Sequence, residues 1–348
     1  MGSERPHLVQ TRQPCLLPPR METASEERPH KRARTQREVE SSSPIERSAK
    51  YWFRDGNIIL QVESTQFRLS QGVLAMHSPI FRDMFSLPLP HDEPLVDKCP
   101  IVVLSGDRSE DWTYLLDAMF PKEYLSEQKP TLEQLSGVLR LSQKYDIAHF
   151  RQGCLRRLKC EYPSTLAEFD KDADNWMYID VPEGSSPNLV AAQVINLARE
   201  IGIWSILPTA FYSLASGDVP DDPSSLTSNL HNLQDGIAVL AGRMVMMRSY
   251  LESPLKWLDP NTIPCDACTQ IAECTAMRTR LLAALGTRPA IVAAFFEVLQ
   301  TKSADYLCTA CDIRAREVCE EAKQEYWNKL PSYFGLPDWE ELKRMDVE

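Results

Sequence analysis

The sequence predicts an α+β chain, in which a small sheet with flanking helices is followed by an all-α region. Three short apolar runs of strand type lie between residues 57 and 104, and helical periodicity dominates the rest of the chain. No convincing strand follows Leu104, so the C-terminal half is expected to be entirely helical. A chain of 348 residues with 43% hydrophobic residues is long enough for two or three domains.

Composition divides the chain into four segments. Residues 1–48 are rich in Pro, Arg, Glu and Ser and poor in aromatic residues, so they are predicted to be a disordered tail. Residues 49–162 carry the mixed strand and helix pattern. Residues 163–188 are acidic and polar and are interpreted as a linker or surface loop, and residues 189–348 form the predicted helical domain.

The first folded segment has a regular succession of elements. Strands are predicted at 57–63, 67–69 and 100–104, and helices at 71–78, 79–86, 110–120, 132–145 and 149–162. Ser70 is expected to cap the first helix, with Leu74 and Met76 turned inward, and Pro79 to start the second.

The second folded segment shows helical periodicity throughout. Helices are predicted at 189–201, 203–215, 236–252, 275–285, 290–300 and 309–329. Pro208 is either a first-turn residue or a kink, and Asp235 is expected to cap the helix that follows it. The Met-rich run 244–247 is interpreted as helix core, with an adaptable binding surface as the alternative. The apolar run 330–339 either docks back on the helices or holds a partner peptide.

The charge of the chain argues against nucleic acid as a partner. The net charge is −11, and it is uneven: residues 1–50 hold ten Lys/Arg against seven Asp/Glu, and the remainder holds 28 against 42. An acidic body repels phosphates, so no nucleic-acid partner is expected.

The location is predicted to be intracellular, either nuclear or cytoplasmic. No run approaches ~18 apolar residues, so no membrane partner is expected. The first twenty residues lack the apolar core of a secretory signal. The basic cluster at 30–34 is either a nuclear-import signal or part of a solubilising tail.

Two Cys-x-x-Cys pairs are the most chemically specific feature of the sequence. They are Cys265 with Cys268 and Cys308 with Cys311. Two residues between thiols allow both sulfurs to reach one tetrahedral zinc ion. The 39 residues between the pairs exceed the usual zinc spacing, but an antiparallel pair of helices would bring the pairs together. The alternatives are buried thiols without a ligand and, less favoured, redox chemistry.

The chemistry of these pairs favours a structural zinc ion over a catalytic one. A catalytic zinc needs an open position and usually a His or Glu ligand, and the last histidine is His231. We therefore predict one structural zinc ion held by the four thiolates. Cys274 and Cys319 follow the pairs as either spare ligands or core residues. No familiar catalytic motif occurs, so the chain is not expected to be an enzyme.

The first folded segment resembles the BTB/POZ family. The resemblance rests on residues 67–85, with Phe67, Leu69, Ser78, Phe81 and Met84-Phe85 in the family pattern, and on Leu139 to Asp146. Ser70 departs from the pattern, because most members carry His there. The runs at 54–57, 77–88, 307–311 and 327–337 are also similar to a set of fungal, mushroom-type BTB proteins with a helical C-terminal part.

The resemblance implies a protein–protein interaction scaffold, possessing a homodimer interface on its first helices. The residues implied for partner contact are Phe53, Phe67, Val73, Met76, Phe81 and Phe85. Several of these six must be core residues, so a subset is interfacial. The alternative is a substrate adaptor that binds a cullin in a ubiquitin ligase. A zinc-dependent or thiol enzyme in the C-terminal half is the less favoured third reading.

Overall fold

The computed structural model describes residues 44–88, 95–121, 129–171, 176–217, 227–252, 254–286 and 307–347. The strands are β1 (Glu46–Trp52), β2 (Ile58–Val62), β3 (Thr65–Leu69), β4 (Leu95–Val96) and β5 (Cys99–Val103). The first helices are α1 (Gln71–His77), α2 (Pro79–Ser86), α3 (Ser109–Met119), α4 (Leu132–Lys144) and α5 (Ala148–Glu161).

The remaining elements of the described residues are helical. They are α6 (Leu166–Lys171), α7 (Pro187–Ile201), α8 (Leu207–Ser216), α9 (Leu233–Glu252), a 3₁₀ helix (Pro254–Leu258), α10 (Ile271–Gly286), α11 (Thr309–Tyr333) and α12 (Trp339–Met345). The α+β class with a mostly helical C-terminal region is therefore confirmed. The helix predicted at 290–300 and the basic cluster at 30–34 lie outside the described residues.

The strands form one mixed sheet in the order β1-β3-β2-β5-β4. β2 and β3 are an antiparallel hairpin with Leu60 opposite Phe67, whereas β5 runs parallel to β2 and β1 parallel to β3. The three predicted strands are confirmed, but β1 and β4 escaped prediction. β1 is an edge strand whose residues are mostly exposed, so its sequence carries no alternating pattern, and β4 has two residues.

Ser78 fixes the start of α2 and ties it to the end of α4. Its Oγ accepts a hydrogen bond from the Phe81 amide at 3.1 Å and donates one to the Tyr145 carbonyl at 2.5 Å. Pro79 occupies the first position of the helix, where its missing N–H costs nothing. The side chain of one buried serine therefore satisfies a helix end and joins two elements.

The first turn of α1 departs from the sequence prediction. Ser70 is the N-cap residue, but its side chain makes no capping hydrogen bond. Asn57 Oδ1 instead accepts the Gln71 amide at 2.8 Å, from the turn before β2. Leu74 is buried as expected, whereas Met76 is 72% exposed, so the prediction that Met76 turns inward is wrong.

An aromatic group packs α2, α3 and α4 together. The Phe81 ring lies 4.7 Å from the Tyr145 ring and 5.9 Å from the Trp112 ring. Asp107, which is also buried, accepts hydrogen bonds from Trp112 Nε1 at 2.8 Å and from the Tyr145 hydroxyl at 2.5 Å. The polar ends of both rings are thus satisfied inside the core, as buried polar groups require. Burial, and then the bond to Asp107, raise the pKa of Tyr145.

Helix α4 is buried on two faces and joins the two halves of the fold. Val138 and Leu141 face the core of the sheet-containing half, while Leu135 and Leu139 pack in a second core that includes side chains of α5, α7 and α8. Within residues 163–188, α6 and the buried Ile179 belong to this second core. The predicted domain boundaries remain a prediction.

The connection between α7 and α8 is shaped by the C-terminal residues. Gly202 ends α7 in the left-handed conformation, with φ of +82°, which glycine adopts without strain. Helix α8 begins at Leu207, four residues later than predicted, with Pro208 in its first turn. In the turn between them, Asp346 Oδ1 accepts the amides of Trp204 and Ser205 at 2.7 and 2.9 Å.

The apolar C-terminal run docks on the helices, as one of the two sequence readings expected. The Trp339 ring stacks on Trp327 at 5.1 Å with 9° between planes, and its Nε1 donates to the Trp327 carbonyl at 2.9 Å. Phe334 is buried and lies 5.3 Å from the Phe211 ring of α8.

Helix α9 begins before its predicted cap. Asp235 lies in its first turn rather than ahead of it, and is buried against Arg199 of α7. The Met-rich run is divided: Met246 is buried, while Met244 and Met247 are exposed. Core packing therefore accounts for part of this run.

Among the described residues, no helix combines the length and apolar character that crossing a membrane requires.

Candidate functional site

Five cysteines converge where the 3₁₀ helix, α10 and α11 meet. Cys265 and Cys268 lie on a tight turn closed by a 2.9 Å hydrogen bond from the Cys268 amide to the Cys265 carbonyl. Cys274 projects from the first turns of α10, Cys308 is the N-cap residue of α11, and Cys311 lies in the first turn of that helix. Residues far apart in sequence thus contribute to one cluster.

The sulfur positions fit a tetrahedral metal ion. The Sγ atoms of Cys268, Cys274, Cys308 and Cys311 all lie within 4.8 Å of one another. Cys268 and Cys308 are 3.7 Å apart, and so are Cys265 and Cys311. A zinc ion with Zn–S bonds of ~2.3 Å sets its sulfurs ~3.8 Å apart at the edges of a tetrahedron. The cluster can therefore hold a metal such as zinc.

The structure brings together three of the four sequence-predicted ligands and adds a fourth. Cys268, Cys308 and Cys311 belong to both sets. Cys274, which the sequence left as either a spare ligand or a core residue, completes the mutually close group. Cys265 lies outside that group but contacts Cys311. The Cys265 sulfur is therefore close to one sulfur of the second pair, but it is not close to all the other sulfurs.

Backbone amides point at the sulfurs. The Cys265 amide donates to Cys311 Sγ and the Cys308 amide to Cys274 Sγ, each at 3.4 Å. Amides of Cys311 and Thr269 hydrogen-bond the Cys308 sulfur and lower the pKa of Cys308 to about 6. Such donors stabilise negative charge on sulfur, as does the N-terminus of α11. The thiolate form that a metal needs is therefore supported at Cys308.

The other sulfurs need a cation to ionise. Burial raises the pKa of Cys274 and of Cys311, so both favour the neutral thiol when no metal is bound. A bound cation would offset that penalty, because a coordinating thiol is deprotonated. In the described part of the chain, the mutually close group contains sulfur ligands alone. An all-thiolate set with four ligands is typical of a structural zinc site.

An apolar shell encloses the cluster. Trp257, Ile263 and Val318 are buried beside it, and Arg278 Nη1 donates to the Ile263 carbonyl at 2.8 Å. Cys319 also lies in this shell, where burial raises its pKa, and it is not part of the mutually close group. The sequence left Cys319 as either a spare ligand or a core residue, and the structure favours the core residue.

The six predicted partner-contact residues are distributed between core and surface. Phe67 and Phe81 are buried in the core of the sheet-containing half, and Phe53, Val73 and Phe85 are partly buried. Met76 is the exposed member. Two further exposed apolar side chains flank α2, Ile80 at its start and Leu87 after its end. Neither Ile80 nor Leu87 is among the six predicted contact residues, so the sequence analysis missed this part of the surface.

Comparison with known families identifies the sheet-containing segment. Residues 53–161, about a third of the chain, match the model of the BTB/POZ domain. The chain thus contains a BTB domain with a mixed five-strand sheet, followed by a mostly helical region that carries the cysteine cluster. BTB domains are non-catalytic modules that commonly mediate protein binding and dimerisation. No curated protein matches the chain.

Proposed function

We propose that this chain is a non-enzymatic scaffold that binds other proteins through its BTB domain and forms a homodimer. The observation that carries the proposal is the match of residues 53–161 to the BTB/POZ domain. The exposed apolar side chains of Met76, Ile80 and Leu87 support it, because apolar surface beside one helix pair favours protein contact. We further propose that the similarity to fungal BTB proteins reflects common descent.

The dimer is tested on the full chain by light scattering coupled to gel filtration. The expected mass is that of two chains. The double variant Met76→Glu and Ile80→Glu places charges on the exposed face and should give monomers without loss of helical circular dichroism. Leu233→Glu is the matched control, since Leu233 is as exposed but lies on α9. A wild-type monomer at high concentration, or a dimer indifferent to the double variant, contradicts the dimer through this face.

We propose that the cysteine cluster holds one structural zinc ion. All of the mutually close ligands are sulfurs, they are mostly buried, and they sit in an apolar shell. Such a site leaves no open position for substrate. The measurement is metal analysis of the purified full chain combined with thiol titration. One zinc per chain and protected cluster thiols support the proposal, whereas metal-free protein with readily alkylated thiols contradicts it.

The substrate-adaptor role is the second candidate, and the BTB match is the observation that favours it. The discriminating experiment is a pull-down of the full chain with a cullin N-terminal domain. Stoichiometric binding supports the adaptor role. The absence of binding at micromolar concentrations contradicts it and leaves the scaffold role as the proposed function. A zinc-dependent or thiol enzyme is not favoured, because the cluster residues are those of a closed site.

We also propose that the protein is located inside the cell, in the nucleus or the cytoplasm.

A further inference from the structure

We infer that the metal centre, which rests on the zinc proposal above, is a five-thiol site with an exchangeable fourth ligand. Cys268, Cys308 and Cys311 are its fixed ligands, and Cys274 and Cys265 compete for the remaining position. The starting observation is that five sulfurs are gathered where a tetrahedral ion takes four. One thiol must therefore lie outside the coordination shell at any time.

Cys274 is placed to be the resident fourth ligand. Its sulfur belongs to the mutually close group, and its side chain is fully buried on the regular backbone of α10. The Cys308 amide donates to its sulfur at 3.4 Å, so a thiolate there has a backbone donor. A ligand held by a helix and supported by a second contact is well oriented for the metal.

Cys265 is placed to replace it. Its sulfur is 3.7 Å from Cys311 Sγ, which is the separation that two ligands of one zinc ion show. Its amide also donates to Cys311 Sγ, so the residue is already anchored to a fixed ligand. It sits on a turn rather than in a helix and is half-buried, in contrast to Cys274. A small movement of that turn would bring its sulfur to the metal.

The exchange conserves bonds and charge. One Zn–S bond forms to Cys265 and one breaks from Cys274, so the metal keeps four thiolates. The incoming Cys265 thiol gives its proton to solvent, and the outgoing Cys274 thiolate takes one up. No oxidant or reductant takes part. The cluster therefore has a built-in substitute for the loss of either thiol but none for the loss of a fixed ligand.

Single serine variants of the full chain test this assignment. Cys274→Ser and Cys265→Ser should each retain one zinc per chain after dialysis, with affinity lowered by about 10- to 100-fold at most, the range for losing a supporting group. Cys268→Ser and the double variant Cys265→Ser/Cys274→Ser should lose the metal. Cys319→Ser, a buried neighbour outside the mutually close group, is the control and should keep wild-type affinity.

Cobalt substitution gives a readout independent of folding yield. Four-thiolate cobalt has intense absorption bands, and their intensity should persist in Cys265→Ser and in Cys274→Ser because four thiolates remain in each. If Cys274→Ser alone loses the metal, the ligand set is fixed with Cys274, and if Cys265→Ser alone loses it, the set is fixed with Cys265. Either result overturns the exchange but leaves the zinc proposal intact. Metal-free wild-type protein refutes the zinc proposal itself.

Discussion

Arg199 and Asp235 form a bidentate ion pair between α7 and α9. Arg199 Nη2 lies 2.6 Å from Asp235 Oδ1, and Nε lies 3.2 Å from both carboxylate oxygens. The guanidinium also lies over the Trp204 ring, 5.0 Å from its centroid. Asp235 is 2% exposed, so Arg199 supplies the counter-charge to a carboxylate that is shielded from water.

Loss of this carboxylate should destabilise the helical region. Asp235→Ala leaves a mostly buried guanidinium without its counter-charge, and we expect the free energy of unfolding to fall by about 1.5–3 kcal/mol. Glu325→Ala breaks an exposed pair with Lys329 and should cost less than about 1 kcal/mol. Urea denaturation of both variants is the measurement. Equal losses would show that burial does not strengthen the pair.

Asp346 should be a sensitive polar residue of the C-terminal segment. It accepts the amides of Trp204 and Ser205 and the Ser205 hydroxyl, and it pairs with Lys159 of α5. We expect Asp346→Ala to lower the free energy of unfolding by about 2–3 kcal/mol, since two backbone amides and a hydroxyl lose a charged acceptor. Glu340→Ala, on the exposed side of α12, is the control and should change it by about 0.5 kcal/mol or less. Denaturant midpoints that coincide for the two variants would contradict this role.

Removal of the hydroxyl should destabilise the fold at one of two buried tyrosines and not at the other. Tyr145→Phe withdraws a donor from buried Asp107 and should destabilise by about 1–3 kcal/mol. The Tyr162 hydroxyl is buried and has no hydrogen-bond partner among the described residues, so Tyr162→Phe should be neutral or stabilising. Thermal unfolding of the two variants measures the change in stability that each causes. A loss at Tyr162 as large as at Tyr145 would refute the contrast.

Alkaline pH should destabilise the fold through the same side chains. Burial raises the pKa of Tyr145 and of Tyr162 above the ordinary tyrosine value of ~10. Above that value the unfolded chain releases protons that the folded chain retains. The ionisation of these tyrosines should therefore leave the free energy of unfolding unchanged below pH ~10. As pH rises further, that free energy should fall by up to ~1.4 kcal/mol per pH unit for each tyrosine. Tyr162→Phe should make the decline shallower, and an unchanged slope would contradict the assignment.

Removal of the metal that we propose for the cysteine cluster should loosen one region and spare another. The cluster joins α10 to α11 and to the 3₁₀ helix, so chelation should increase amide hydrogen exchange around residues 257–281 and 307–319. The amides of α3 and α4 belong to other cores and should stay protected. Mass spectrometry of peptides with and without chelator is the measurement. An equal increase in exchange across the whole chain, or no increase in any region, would argue against a local structural centre.

The sequence predicted those elements whose local pattern matches their burial. The β2–β3 hairpin and helices α3 to α5 carry regular apolar spacing and were found with bounds close to those of the structure. β1 was not predicted because an exposed edge strand shows no alternation, and the contact of the turn before α8 with Asp346, which is distant in sequence, has no local signal. Local patterns do not encode such long-range partners.

The cysteine cluster likewise could be predicted only in part. Spacing predicted Cys268, Cys308 and Cys311, because Cys-x-x-Cys is a local signal. Cys274 has no such spacing, and its sulfur reaches the others through the packing of α10 against the start of α11. Burial of Phe67 and exposure of Met76 likewise follow from the sheet and helix geometry rather than from residue type.

Because α4 is packed on both sides, the BTB half and the helical half should melt as one cooperative unit. An excised fragment ending near residue 162 would present Leu135, Leu139 and Leu158 to water and would be prone to aggregate. Missense changes deep in α7 or α8 should consequently mimic loss of the BTB domain in a cell, by lowering the amount of folded protein. Partner binding on one half would, in turn, protect the other from proteolysis.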